Sequence, residues 1–238
     1  MIIYVVKAER RRKDFEGGKF IMKKCRRTIS YVLLLCLISS VCVINATTAF
    51  AHEMYYNNGV PIVLKWNFVT NGVANLKMCN YGLSGDYSSN YTIARAAWPN
   101  ASNNVFVTET AFSSSNVDLV TASEDYWYDR FTMADAMNTN GICDLTSTDN
   151  VLITSVATAN ASSKSIRYAG IFFTPEVSNY SDTTNLRKTM VHEIGHALCL
   201  GHPDGAYSPT TAASVMRQGP LSYYLPQAHD ITDLNNKY

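Results

Sequence analysis

His192-Glu193-Ile194-Gly195-His196-Ala197-Leu198-Cys199-Leu200-Gly201-His202 places three of the chain's five histidines within eleven residues. Around this stretch Leu186, Met190, Ile194, Ala197 and Leu198 recur at spacings of three and four, the period of a helix with one apolar face. Upstream, Ser181, Asp182, Thr183 and Thr184 are residues that cap a helix N-terminus. On such a helix residues four apart lie on one side, so His192 and His196 direct both imidazoles to one place. Two imidazoles so placed suit a tetrahedral zinc, with Glu193 beside them as the base for a water molecule. A five-residue HExxH match by itself arises by chance in unrelated helices. Here a third histidine and an amphipathic pattern accompany it.

A catalytic zinc needs a third protein ligand. No Glu follows Glu193, so a downstream Glu is excluded. His202, Asp204, His229, Asp230 and Asp233 remain. His202 is the first candidate, because a chain turning off the helix could bring it back, and Asp204 is the second.

The run from His192 through Pro203, followed by Ser214-Val215-Met216, resembles the long zinc signature and Met-turn of the metzincins, most of all the bacterial matrixin-type peptidases. The resemblance implies an α+β fold: a twisted, mostly parallel sheet with two long helices, the active-site helix and the C-terminal helix. It implies an endopeptidase in which zinc-activated water attacks a peptide bond of a protein or peptide substrate and Glu193 is the general base. By the same likeness Met216 forms a floor beneath the metal, residues 151–157 form the strand that pairs with substrate, and residues 222–226 wall the first primed-side pocket. Calcium (Ca2+) is allowed by the resemblance, without ligands that the sequence can place. One departure is Cys199, where the family has Gly at the helix end. A non-Gly residue in the left-handed conformation expected there costs on the order of 1–3 kcal/mol. Either Gly201 takes over part of the turn or Cys199 tolerates it. Cys199 could also offer a thiolate to the metal, but a small buried residue is the plainer reading.

Working outward, residues 62–68, 105–110, 117–121, 151–157 and 168–173 read as strands. Residues 91–98 read as a helix with Ile93, Ala94, Ala97 and Trp98 on one face, stopped by Pro99-Asn100. Residues 227–238 read as a short closing helix with Ile231 and Leu234 inward. Tyr126, Trp127 and Tyr128 read as packing residues, while Tyr223 and Tyr224 lie nearer the metal motif.

The N-terminal fifth reads differently. From Met22 a basic cluster (Lys23, Lys24, Arg26, Arg27), an apolar run over 31–44 and Ala49-Phe50-Ala51 have the grammar of a secretory signal. The expected organisation is therefore a leader extension or untranslated stretch at 1–21, a signal peptide at 22–51, and a catalytic domain at 52–238 beginning at His52. The apolar run is short of the ~20 residues that span a bilayer. The codons of Glu16-Gly17-Gly18 can hold a purine-rich ribosome-binding sequence, which points to a bacterial, secreted protein. Nothing between His52 and the first strand is long enough for an inhibitory pro-segment.

Residues 52–238 hold 10 of the 20 basic and 16 of the 19 acidic residues, a balance of −6 that argues against nucleic acid as a partner. Their cysteines are Cys79, Cys143 and Cys199. Cys79 and Cys143 sit beside turn-forming residues and are the preferred disulfide, with three free thiols as the competing reading. Sequons at Asn90, Asn100, Asn160 and Asn179 matter only in a eukaryotic secretory pathway. A monomer is expected. Two rival functions remain: a secreted β-rich adhesion or carbohydrate-binding module, and a metzincin-like scaffold disabled by Cys199.

Overall fold

Two Asn-Gly turns open the fold. Asn58-Gly59 joins β1 (Tyr55–Asn57) to β2 (Val60–Ile62), and, after β3 (Lys65–Trp66) and β4 (Val69–Thr70), Asn71-Gly72 joins β4 to β5 (Val73–Gly82). All four turn residues have positive φ, the conformation that two-residue hairpin turns demand and that Asn and Gly adopt most cheaply. The chain continues through helix α1 (Gly85–Ala101), β6 (Val105–Glu109), β7 (Val117–Thr121), and helices α2 (Glu124–Arg130) and α3 (Met133–Asn138). It then forms β8 (Gly141–Ser147), β9 (Leu152–Ile153), α4 (Val156–Ala161), β10 (Ser165–Phe173), α5 (Thr183–Ala197) and α6 (Ala228–Lys237). This computed structural model describes residues 52–176, 180, 182–207 and 209–238. The stretches expected to be a leader extension and a signal peptide, residues 1–21 and 22–51, lie outside them, as do Asn179 and Ser181.

The main sheet runs β4-β5-β7-β10-β8-β9, with β6 on β5 and β3 on β10. β5 is parallel to β6 and β7, and β10 is parallel to β7 and β3, while β8 runs antiparallel to β10. The fold is thus α+β around a mixed, mostly parallel sheet. Its two longest helices are α1 and α5, of 17 and 15 residues; the C-terminal helix has only 10. No helix among the described residues is long and apolar enough to cross a membrane.

Helix α1 starts six residues earlier than 91–98 predicts and passes through Pro99. Its buried row is Tyr87, Tyr91, Ala94 and Trp98, whereas Ile93 is exposed. That row packs on α5, where Trp98 Nε1 donates to the Val191 carbonyl (2.9 Å); from β3, Trp66 Nε1 donates to the Ala197 carbonyl of the same helix (2.6 Å). Trp127 is buried in a separate small cluster with Ala122 and Ala136, as a packing residue should be.

The expected Cys79–Cys143 disulfide is not formed; Cys79, Cys143 and Cys199 are all free. Cys79 lies inside β5 opposite Asp118 of β7, and Cys143 inside β8 opposite Ile171 of β10. With β7 and β10 between them, the two cysteines are three strand spacings apart, about 14 Å. A disulfide requires Cα atoms within about 7 Å. Both neighbouring Asn and Gly residues had suggested turns where the chain is in fact extended.

Candidate metal centre

Asp182 begins α5 by accepting a hydrogen bond from the Asn185 amide (2.8 Å), and the helix then carries His192, Glu193 and His196 into the interior, all three buried. It ends at Leu198 in a Schellman turn: the Cys199 amide donates to His196 O (2.8 Å) and the Leu200 amide to Gly195 O (3.0 Å). Cys199 itself adopts the left-handed conformation, with φ of 62°. Gly201 does not share it; the glycine there answers a different need, since the Glu53 backbone passes directly over it. After this turn His202 returns to the first two histidines.

The three Nε2 atoms converge. His202 Nε2 lies 3.0 Å from His192 Nε2 and 3.0 Å from His196 Nε2. Nδ1 of His192 donates to Val215 O (2.9 Å) and Nδ1 of His196 to Leu200 O (2.8 Å), which fixes the tautomer and leaves each Nε2 a bare lone pair. Burial, with neighbouring histidines adding to it, drives the imidazolium of His192 far down, that of His196 to about 3, and that of His202 downward by burial and the Lys188 charge. The lone pairs of His192 and His196 thus face His202 Nε2, and with His202 in the same tautomer a cation can join all three. Four ligands at 2.0–2.1 Å in a tetrahedron stand about 3.3 Å apart, close to the spacing here. His192, His196 and His202 therefore form a group that could hold a metal ion.

Beside it Glu193 Oε2 is buried without a hydrogen-bond partner among the described residues. Burial raises the Glu193 carboxyl to about 8, against the pull of Lys188 and with a push from Asp144. The carboxylate rests on the start of β8: a Cβ on Gly141 would stand 2.8 Å from Glu193 Cγ, so glycine gives the side chain its room. Val215 and Met216 close the opposite side. Met216 is buried beneath α5, where a Cβ on Gly195 would meet its Sδ.

The other ligand candidates have different work. Asp230 of α6 holds the turn under the histidines, accepting from Ser214 Oγ and from the Val215 amide (2.8 Å). Asp233 accepts from His52 Nδ1 (2.7 Å) and lies 3.6 Å from His229 Nε2, in a separate group. Asp204 accepts from the Gln218 amide (3.4 Å).

His192, Glu193, His196 and His202 border a cleft of about 760 Å³ that reaches along β8 and α5. β8 pairs with β9 only at Leu145 and Thr146, which leaves Gly141 to Asp144 as an unpaired edge on the cleft; of the strand expected at 151–157, Ile153 and Thr154 also line it. The far wall is Gln218, Gly219 and Pro220, upstream of the expected 222–226. Tyr223 hydrogen-bonds to the Ser214 amide (3.1 Å) and Tyr224 stacks under Arg187. Two further features escaped sequence reading: the Arg130–Asp144 ion pair and Lys188, both in the cleft.

The strain at Cys199 is testable. Cys199→Gly removes a Cβ that costs about 1–2 kcal/mol in this conformation and gives up buried thiol packing of similar size, so stability should stay within about 1 kcal/mol. Cys199→Val adds a branched side chain at positive φ in a fully buried place and should cost about 2–4 kcal/mol. Thermal unfolding of the two variants in excess metal checks the contrast.

The chain matches no family model and no curated protein. Among solved structures it is similar to that of myroilysin, at 13% identity and a TM-score of 0.42, over 80% of this chain and 91% of that one.

Proposed function

We propose that the chain is a secreted zinc-dependent endopeptidase of metzincin type, with His192, His196 and His202 as metal ligands and Glu193 as general base. The observation that carries the reading is the convergence of three neutral imidazoles at 3.0 Å beside a buried carboxylate oxygen that has no partner among the described residues. A zinc ion bound there supplies Lewis acidity toward a carbonyl oxygen and a water molecule.

The rest is the work of the chain. Glu193 takes a proton from water and delivers it to the leaving amine, a task for which its Oε2 is open, having no partner among the described residues. Gly141 to Asp144 offer an open strand edge on which an extended peptide can lie, its backbone held by ladder hydrogen bonds. Val215 O and Leu200 O keep both helix histidines in the tautomer that a metal requires. The buried Met216 and Val215 keep the underside of the site dry.

Purified chain from His52, loaded with zinc, is expected to bind one ion per chain and to cleave a denatured protein. Removing the ion with a chelator should end cleavage and lower the melting temperature. Ligand at a thousandfold its dissociation constant adds about 4 kcal/mol, or roughly 8–16 °C for a domain of this size. Zinc bound without cleavage of any of a broad panel would reject the peptidase reading, and absence of binding would reject the metal site.

A further inference from the structure

Lys188 stands one turn before His192 on α5, so Lys188, His192 and His196 form a row at intervals of four along one face. It is buried at 6% exposure and lines the cleft. Asn185 and Thr189 of its own helix and Gln218 and Gly219 line the same cleft. The Leu221 amide, donating to Asn185 Oδ1 (2.9 Å), ties the two walls together. The cleft therefore carries a largely buried cation on its α5 wall.

The cation lacks a counterpart. Among the described residues the Lys188 ammonium makes no hydrogen bond or ion pair, whereas Arg130, the other cleft cation, is matched by two bonds to Asp144 at 2.7 and 2.6 Å. Glu193 and Asp204 act on Lys188 only at a distance, and burial pushes the ammonium down to about 8. A largely buried charge that has no protein partner gains when an opposite charge arrives with a ligand. One helical turn rises 5.4 Å and an extended peptide 3.3 Å per residue. A peptide with its reacting carbonyl above the histidines thus brings the adjoining side chain within reach of Lys188.

We propose that Lys188 makes this pocket select a carboxylate, so that the chain cleaves peptides with Asp or Glu immediately beside the scissile bond. The proposal rests on the peptidase reading for its cleavage step, though not for the binding of the acid.

Two measurements keep these readings apart. In the first, a peptide library from a digested proteome is treated with the zinc-loaded chain, and the residues flanking each cut are read by mass spectrometry. Asp and Glu should be enriched about tenfold or more at one adjoining position, from the worth of a charge-assisted hydrogen bond. Lys188→Met should flatten that enrichment and Lys188→Glu should turn it toward Lys and Arg. In the second, binding of acetylated alanine-glycine heptapeptides with a central Asp or Asn is measured on zinc-loaded Glu193→Gln chain. The Asp peptide should bind about tenfold tighter, and adding Lys188→Met should erase the difference. Cleavage without flanking preference, together with equal binding of Asp and Asn peptides, would overturn the proposal and leave the peptidase intact. Preferential binding of the Asp peptide with no cleavage by the unmodified chain would uphold the acid pocket and remove the peptidase.

Discussion

Glu193→Gln is expected to lower hydrolysis by about 10²–10⁴-fold while zinc remains near one per chain, because general acid-base catalysis contributes about that much. The substitution keeps volume and shape in a buried position and removes only the ability to accept a proton. Glu193 lies outside the histidine group that could hold the metal, so its loss should leave ligation in place. The neighbouring contacts sharpen the expectation. Gly141 packs against the Glu193 side chain, and Oε2 is held free of any partner among the described residues, an arrangement that serves water and substrate rather than stability. Metal content by atomic absorption and peptide hydrolysis on the same sample separate the roles. Activity within tenfold of the unmodified chain would remove Glu193 as the base; loss of the zinc would make it a ligand.

How far the sequence could be read depended on whether the deciding contacts were local. The histidine-bearing helix was legible because its period, its cap cluster at residues 181–184 and its histidine spacing lie within one stretch. The side chain that joins His192 and His196 was not, since five were chemically eligible. The fold narrows them: it spends Asp230 on the Ser214–Met216 turn, sets Asp233 and His229 against His52, and brings His202 back through the Schellman turn. Strand β5 escaped notice although Ala74, Leu76 and Met78 alternate inward, because Asn80 and Gly82 beside Cys79 read as a turn. Residues 151–157 looked like one strand, yet Ser155 caps a new helix by accepting from the Thr158 amide, and the strand is cut to two residues. Lys188 was invisible for a simpler reason. A lysine four residues before a histidine reads as a solvated face, and only the fold shows it buried on the wall of the cleft.

Gly201→Ala should weaken zinc binding by about 10–100-fold and destabilise the fold, though it changes neither a ligand nor a positive-φ residue. Its added Cβ would stand 2.1 Å from the carbonyl oxygen of Glu53 and 2.4 Å from the carbon, so backbone meets backbone and no flexible side chain can give way. Something must move by more than an ångström. The Glu53 side is held firmly: Lys237 Nζ pairs with Glu53 at 2.5 Å, His52 bonds to Asp233, and Glu53 bridges Leu200. Relief therefore falls largely on the turn, which would break the bond from the Gly201 amide to His52 O (2.6 Å). Overpacking costs about 1–3 kcal/mol and an orphaned buried amide about as much again. The same turn supplies Leu200 O to His196 and leads directly into His202, so its displacement loosens two ligands together. Competitive zinc titration, with thermal unfolding of the metal-free chain beside it, reads both effects. Unchanged zinc affinity in a destabilised variant would mean that the Glu53 segment yields and the ligand turn stays. Unchanged values in both would show that the close approach of Glu53 to Gly201 does not hold the third ligand in place.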